Sequence, residues 1–293
     1  MLTAILSIST LLVLATAAVQ AKPTAYVVNY PLYYFTERIA GSHVEVVFPV
    51  PSDVDPAFWK PDVAAVAAFQ AADVIVINGA TYAQWLSRVS LPRAKIVDTS
   101  RGFKARHIAV TEASTHSHGQ GGVHSHTGTA STTWLNFQFA ARQAGAVAQA
   151  LSRLLPGQRA AFEANYAALE RDLLALDRRL EGIVAANRTQ PLVASHPVYQ
   201  YLAARYGLSL RSVHWEPEEM PSDEQWQALH TLLADHAARW MIWEGEPLPA
   251  SVAKLQAMGL RSLVFAPCGN RPAQGDFLSV MQQNVTNLAQ AFR

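Results

Sequence analysis

The 293-residue sequence holds a single cysteine, Cys268. An intrachain disulfide, a CxxC redox pair and a thiolate zinc finger are therefore excluded. Charge of one sign is equally scarce: 23 Lys+Arg stand against 22 Asp+Glu, a formal net charge of +1, and no basic block interrupts the balance. Without a positive field nothing concentrates nucleic acid or anionic lipid, so nucleic acid is not an expected partner. The sequence also lacks a G-x-S-x-G motif and a Gly-rich phosphate loop, and Cys268 has no neighbouring pattern that marks a nucleophile. No enzyme is expected. Hydrophobic residues at 50% and charged residues at 15% exclude disorder, and the length suits two domains, each with its own core.

Residues 1–18 are uncharged and mostly apolar, and Val19 and Ala21 supply the small residues that suit signal peptidase. The run is short for a bilayer span of about 20 residues. The expectation is a signal peptide over 1–21, cleaved near Ala21, and a periplasmic protein from Lys22 with no stable membrane insertion. No Lys or Arg precedes the apolar run, and no cysteine follows it that could carry a lipid anchor.

The rest of the chain alternates strand and helix signals. Residues 25–29, 44–48, 74–77 and 95–98 read as strands, with helical composition over 33–40, 63–72 and 82–88. The second half repeats the grammar, with strands 192–195, 208–213, 240–243 and 262–265 and helices 198–206, 223–236, 251–258 and 277–292. Right-handed crossovers between such strands build open parallel sheets covered by helices. Between the halves, 136–187 is rich in Ala, Leu, Arg and Glu and is broken only by Pro156 and Gly157, which predicts two consecutive helices. Leu169, Leu173, Leu176 and Leu180 form one apolar stripe on the second helix, with Arg171, Arg178 and Glu181 on the opposite face. A helix of that length spans roughly 45 Å, enough to brace two lobes and stiffen the hinge between them. The predicted fold class is α/β: an N-terminal lobe over 22–135, linking helices over 136–187 and a C-terminal lobe over 188–293, with a ligand cleft between the lobes.

Several stretches, weak singly but in the correct order, carry a family resemblance across the mature chain. They are Tyr30-Pro31-Leu32-Tyr33-Tyr34-Phe35 with Glu37-Arg38-Ile39-Ala40-Gly41; Asp55-Pro56-Ala57-Phe58-Trp59-Lys60-Pro61; Thr132-Thr133-Trp134-Leu135-Asn136; and Ser195-His196-Pro197-Val198-Tyr199-Gln200-Tyr201-Leu202 with Arg205-Tyr206-Gly207. Asp276-Phe277-Leu278, Met281 and Asn284 close the series. In this order the chain resembles the TroA-like solute-binding proteins of ABC importers, of the zinc and manganese type. The resemblance implies that a divalent metal binds between the lobes, held by up to four side chains, and that the protein acts as a monomer and presents the metal to an ABC transporter permease. Zinc is the expected ion, with manganese or a metal chelate as alternatives.

The chain departs from the resembling pattern at its ligands. Ala57, Thr132 and Ala266 occupy three of the four donor positions, and His196 alone retains a donor. Alanine has no donor atom, and a neutral hydroxyl is a poor ligand for a dication beside imidazole or carboxylate.

Substitutes are sought at strand ends, because loops at the carboxyl ends of parallel strands form the crevice of open α/β sheets. Glu244 ends the apolar run 240–243, His214 follows 208–213, and Cys268 follows the last strand. Two imidazoles, a carboxylate and a thiolate would satisfy zinc. The candidate metal set is therefore His196, Glu244, His214 and Cys268. Trp59, Trp134, Trp215 and Trp243 each adjoin a crevice segment. They read either as packing or as the lining of an aromatic pocket for a chelated metal or an organic cation. The segment 115–130 contains His116, His118, His124 and His126 among Ser, Gly and Thr, which predicts a mobile loop that captures zinc loosely. In the resembling family such loops are characteristic of zinc-type members. His43, His107, His230 and His236 read as surface or packing residues. Two alternatives keep the fold: binding of a metal chelate or organic solute, and buffering of periplasmic zinc.

Overall fold

The computed structural model describes residues 21–110 and 128–293, with the backbone of 115–117 and 123–125 between them. Two parallel four-stranded sheets stand side by side, one from each half of the chain. The first is built from β1 (Thr24–Val27), β2 (Glu45–Val47), β3 (Val74–Ile77) and β4 (Ile96–Asp98), in the order β2-β1-β3-β4. Helix α1 (Tyr30–Ala40) connects β1 to β2, and α2 (Val63–Ala71) leads into β3. Local chemistry sets the helix starts. The Asn29 side chain accepts from Leu32 N at the head of α1, and Asp62 accepts from Ala65 N at the head of α2. The predicted helix at 82–88 is a 3-10 turn, Gln84–Arg88.

Two short antiparallel pairings fall at the predicted loop 115–130. The strands β5 (Ala109–Val110) and β8 (Gly128–Thr129) pair antiparallel, and so do β6 (Thr115–Ser117) and β7 (Val123–Ser125), with His116 in register with His124. Thr115 and Val123 are β-branched, the residue type that suits an extended backbone. His118 and His126 lie outside the described residues.

Two helices follow, α3 (Phe137–Leu154) and α4 (Arg159–Ala185), separated at Pro156 and Gly157 as the sequence predicts. Leu169, Leu173, Leu176 and Leu180 are all buried, and Arg171, Arg178 and Glu181 are exposed. At 27 residues, α4 is about 40 Å long at 1.5 Å per residue. It packs on α3 and α1 and on α5 and α8, so one rod touches both lobes.

One feature of α4 escapes the periodicity. Asp177 is buried beside the leucine stripe, where its carboxylate accepts from Arg205 Nε (2.9 Å), Arg205 Nη2 (2.6 Å), Tyr206 Oη (2.9 Å) and Gln138 Nε2 (3.2 Å). A charge buried to that extent is tolerated because its acceptor capacity is filled by a guanidinium and two further donors.

The second sheet comprises β9 (Pro191–Ala194), β10 (Ser209–Ser212), β11 (Trp240–Trp243) and β12 (Arg261–Val264), ordered β10-β9-β11-β12. Its helices are α5 (Gln200–Tyr206), α6 (Asp223–Asp235), α7 (Pro249–Ala257) and α8 (Phe277–Leu288). Ser222 with Gln225, and Asp276 with Ser279, form reciprocal caps at the starts of α6 and α8. The alternation of parallel strands and covering helices in two lobes is the α/β architecture read from the sequence.

Candidate metal centre

Both sheets turn their carboxyl ends toward a common crevice of about 1450 Å³, whose walls come from the two lobes. The volume includes an extension along β10 toward Leu232 and Asp235. Parallel strands leave their connecting loops at that edge, so polar residues that follow a strand line the gap.

At the first sheet's edge, β3 runs into Asn78 and Gly79. Gly79 has φ +72, and a Cβ there would come within 2.2 Å of Asp98 Oδ1 and 2.0 Å of Ser100 Oγ, so the turn requires glycine. Ala80 and Thr81 continue with φ of +47 and +56, and Cys268, on the facing loop, has φ +59. Left-handed backbone at residues other than glycine is thus concentrated on the crevice loops.

The donors gather on the second sheet. His196 follows β9, the inner strand flanked by β10 and β11. Glu244 follows β11 directly. Pairing on the other side continues beyond β10, with Val213 N donating to Ala194 O at 2.9 Å and Trp215 N to Ser195 O at 2.7 Å, and Glu216 is the next residue. Three adjacent strand ends therefore deliver an imidazole and two carboxylates to one point.

His196 Nδ1 lies 3.6 Å from Glu244 Oε1 and 3.7 Å from Glu216 Oε1. One donor atom from each of the three residues falls within 4.8 Å of the others. Ligands of a tetrahedral zinc stand about 3.3 Å apart, given bonds of about 2.0–2.1 Å, and the two imidazole-to-carboxylate spacings are within a few tenths of an ångström of that value. The imidazole is 2% exposed, while the Glu216 and Glu244 side chains keep 13% and 21% exposure, and Glu244 lines the crevice. Two carboxylates this close repel one another unless a cation or a proton lies among them.

The residues named from the sequence distribute unevenly around this centre. His196 and Glu244 are in the donor group. His214 lines the crevice, its ring 5.8 Å from that of His196 at 82°, just outside the group. Cys268 also lines the crevice but is not among the clustered donors. Burial, reinforced by the charge of Asp276, pushes its thiol up to about 12. Ala57 and Thr132 line the crevice on the N-terminal side and Ala266 on the C-terminal side. The Thr132 hydroxyl donates to the Val198 carbonyl, and the Ala266 backbone is clamped by Asn284, through N to Oδ1 at 3.0 Å and Nδ2 to O at 2.7 Å.

Of the two readings of the aromatic set, the structure favours packing at three of the four positions. Trp215 and Trp243 are at most 2% exposed and pack against each other and Trp226 within the core of the C-terminal lobe. Alternation along an extended chain sends Trp215 to the face opposite His214 and Glu216. Trp59 packs edge-on against Trp85 and tilts over Phe69. Only Trp134 of the four lines the crevice, and its Nε1 donates to Pro267 O at 2.8 Å.

Glu216 is the donor that sequence reasoning misses. A signal for it exists, since a residue two positions beyond His214 in extended chain shares its face. It is obscured because the strand pattern stops at Val213, whereas backbone pairing runs on to Trp215.

Bridges between the lobes close the rims of the crevice. Asn270 Nδ2 donates to Pro51 O (2.6 Å) and Val54 O (2.7 Å), Arg271 Nη2 donates to Phe48 O (2.8 Å), and Tyr30 N donates to Gly269 O (2.9 Å).

Comparison with known proteins agrees with this architecture. The family described as zinc-uptake complex component A, periplasmic (ZnuA) matches residues 26–291. A curated relative, the zinc-binding lipoprotein AdcA of Streptococcus pneumoniae serotype 4, is 25% identical over 279 residues, covering 89% of this chain and 54% of its own. The chain thus spans about half the length of the curated relatives it matches. Among solved structures, the Zn(II)-bound ZnuA-like domain of S. pneumoniae AdcA superposes with a TM-score of 0.78 at 21% identity, over 93% of this chain and 99% of that one. The metal-dependent lipoprotein YcdH of Bacillus subtilis gives 0.78 at 20% identity, over 92% and 98%. At such identities the superpositions establish the fold, and the family match covers nearly the whole described chain. The motif order, the two-lobe architecture and the match over residues 26–291 together place this chain in the ZnuA family of periplasmic zinc-uptake components.

Proposed function

We propose that this protein is a periplasmic solute-binding protein that captures zinc at the crevice edge of its C-terminal lobe and presents it to an ABC transporter permease. The observation that carries the reading is the convergence of His196, Glu216 and Glu244 from three adjacent strand ends. One imidazole and two carboxylates are a donor set suited to zinc, and the two carboxylates would balance the charge of a dication in a partly dry cleft. His214, close behind His196, is a further imidazole that could serve the ion or the orientation of the first ring. Manganese is the competing ion, because carboxylates serve it as well.

The family's setting supports export, and no helix among the described residues is long and apolar enough to cross a membrane. In this reading residues 1–21 direct export and are removed, and the protein delivers its cargo as a monomer. The lobes are held by rim hydrogen bonds and by α4, so closure around the cargo is a small movement.

Elemental analysis by mass spectrometry of the purified chain, before and after chelator dialysis, tests the reading together with calorimetric zinc titration. One zinc per chain, lost on dialysis and recovered on titration, is expected. In Glu216→Gln the zinc affinity should fall at least tenfold. Undiminished affinity in that variant would remove Glu216 from the centre.

A further inference from the structure

The residues that follow the two clustered carboxylates touch one another. Glu216 precedes Pro217 and Glu244 precedes Gly245, and a Cβ on Gly245 would stand 3.4 Å from Pro217 Cγ and 3.7 Å from Pro217 Cβ. A hydrogen bond from Leu248 N to Pro217 O at 2.9 Å ties the same two loops a second time. The backbone does not demand glycine at 245, because its φ lies outside the left-handed region. What glycine provides there is room for the proline ring: a methyl group would just reach contact, and a larger side chain would meet Pro217.

The chain behind each loop has little slack. β11 lies between β9 and β12, Phe265 N donates to Trp243 O at 2.8 Å, and Trp243 is fully buried. On the neighbouring strand Trp215 N donates to Ser195 O at 2.7 Å, and the Trp215 ring packs on Trp226 with centroids 4.6 Å apart. Gln225 Nε2 donates to His214 O at 3.0 Å while Gln225 Oε1 accepts from Ser222 N at 2.8 Å, so the start of α6 holds this segment as well. Both chains are thus anchored up to residues 215 and 243, and the next residue on each carries a carboxylate. Bulk inserted between 217 and 245 is taken up at 216 and 244.

We propose that Gly245 and Pro217 are positioning residues whose contact sets the separation of the Glu216 and Glu244 carboxylates and, through it, the preference for zinc over manganese. This rests on the assignment of His196, Glu216 and Glu244 as metal ligands. The contact acts against the mutual repulsion of two carboxylates whose donor atoms lie within 4.8 Å. Zinc, held by four short bonds, loses most when two donors move apart. Manganese, suited to six oxygen donors, replaces a displaced carboxylate with water at smaller cost.

Calorimetric titration of the full chain with zinc and, separately, with manganese tests this in a double-variant cycle. Gly245→Val, whose branched and stiff side chain cannot turn both methyls away from the proline ring, is expected to lower zinc affinity about tenfold and manganese affinity less than about threefold. Gly245→Ala, whose methyl fits, is expected to bind both ions like the parent protein. Pro217→Ala clears the space, so adding Gly245→Val in that background is expected to lower zinc affinity less than about threefold. Unchanged zinc affinity in Gly245→Val, equal losses for the two ions, or the same zinc loss with and without Pro217 would each overturn the proposal. Circular dichroism and the thermal midpoint without metal report the fold. Should the valine variant not fold, Gly245→Ser, with one atom beyond Cβ, enters the same cycle, with an expected loss of about threefold in zinc affinity that Pro217→Ala removes; a loss that persists without Pro217 overturns the proposal. Glu216→Gln separates the two levels: zinc binding that depends on Glu216 but ignores the wedge at 245 leaves the metal centre standing and removes the positioning role alone. Zinc binding indifferent to Glu216 removes the centre itself.

Discussion

The two lobes share an architecture and differ at the edge that matters. Each presents a four-stranded parallel sheet whose carboxyl ends face the crevice, yet among the described residues the clustered imidazole and two carboxylates all follow strands of the C-terminal sheet, while Ala57 and Thr132 stand at the corresponding positions of the other lobe. A parallel sheet supplies positions where side chains can meet, whatever those side chains are. The chemistry is decided by three or four residues just past the strands, and these can change without disturbing the frame. The N-terminal lobe holds residues that set its frame, Gly79 at φ +72 and the caps Asn29 and Asp62, while alanine and threonine stand at 57 and 132. Family membership therefore fixes the architecture, and the donor set has to be read residue by residue.

That contrast can be broken in several ways. The largest effect is expected at the joint between α4 and the C-terminal lobe. Asp177→Ala would leave Arg205 and Tyr206 without their buried acceptor, and a loss of about 3 kcal/mol in unfolding free energy is expected by denaturant titration. A loss below about 1 kcal/mol would show that the lobe does not depend on this joint. Next comes the donor edge itself. His196→Ala is expected to weaken zinc binding about a hundredfold, about 2.8 kcal/mol. Thr132→Ala on the opposite edge is expected to change it less than twofold. Equal effects from the two variants in parallel calorimetry would erase the asymmetry between the lobes.

The comparison can also be sharpened by restoring what the N-terminal edge lacks. Ala57→His places an imidazole on the facing wall and is expected to raise zinc affinity about tenfold, about 1.4 kcal/mol. An unchanged titration would mean that the wall stands too far from the donors to share an ion. The smallest effect is expected at the rim, where Asn270→Ala removes two hydrogen bonds to Pro51 and Val54 carbonyls and is expected to cost about 1 kcal/mol, read as a lowered thermal midpoint with zinc absent. A midpoint equal to that of the parent protein would show that the rim contact holds nothing.

Much of this architecture is legible in the order of the residues. Val74–Ile77 and Trp240–Trp243 are apolar runs bounded by turn residues, and both are strands with the predicted limits. The α4 stripe follows from leucines spaced by three and four. His196 and Glu244 belong at the crevice by the rule that strand ends line it, and the fold brings them within 3.6 Å of one another. The tryptophans are harder, because adjacency in sequence to a crevice segment does not say which face of an extended chain a ring takes. Trp215 stands between His214, which lines the crevice, and the clustered donor Glu216, and is itself buried in the core.

The sequence by itself determined the order of strands and helices, the break at Pro156 and Gly157, and the loss of donors at Ala57, Thr132 and Ala266, because periodicity, turn chemistry and side-chain composition are local properties. Only the tertiary structure decided that Glu216 joins His196 and Glu244, that Asp177 is buried and paired, and that Cys268 stands apart from the donors. Those outcomes depend on which strands are neighbours and how far their pairing extends past the last regular residue. Parallel neighbours such as β10, β9 and β11 are far apart along the chain, and no local pattern records where their ends meet.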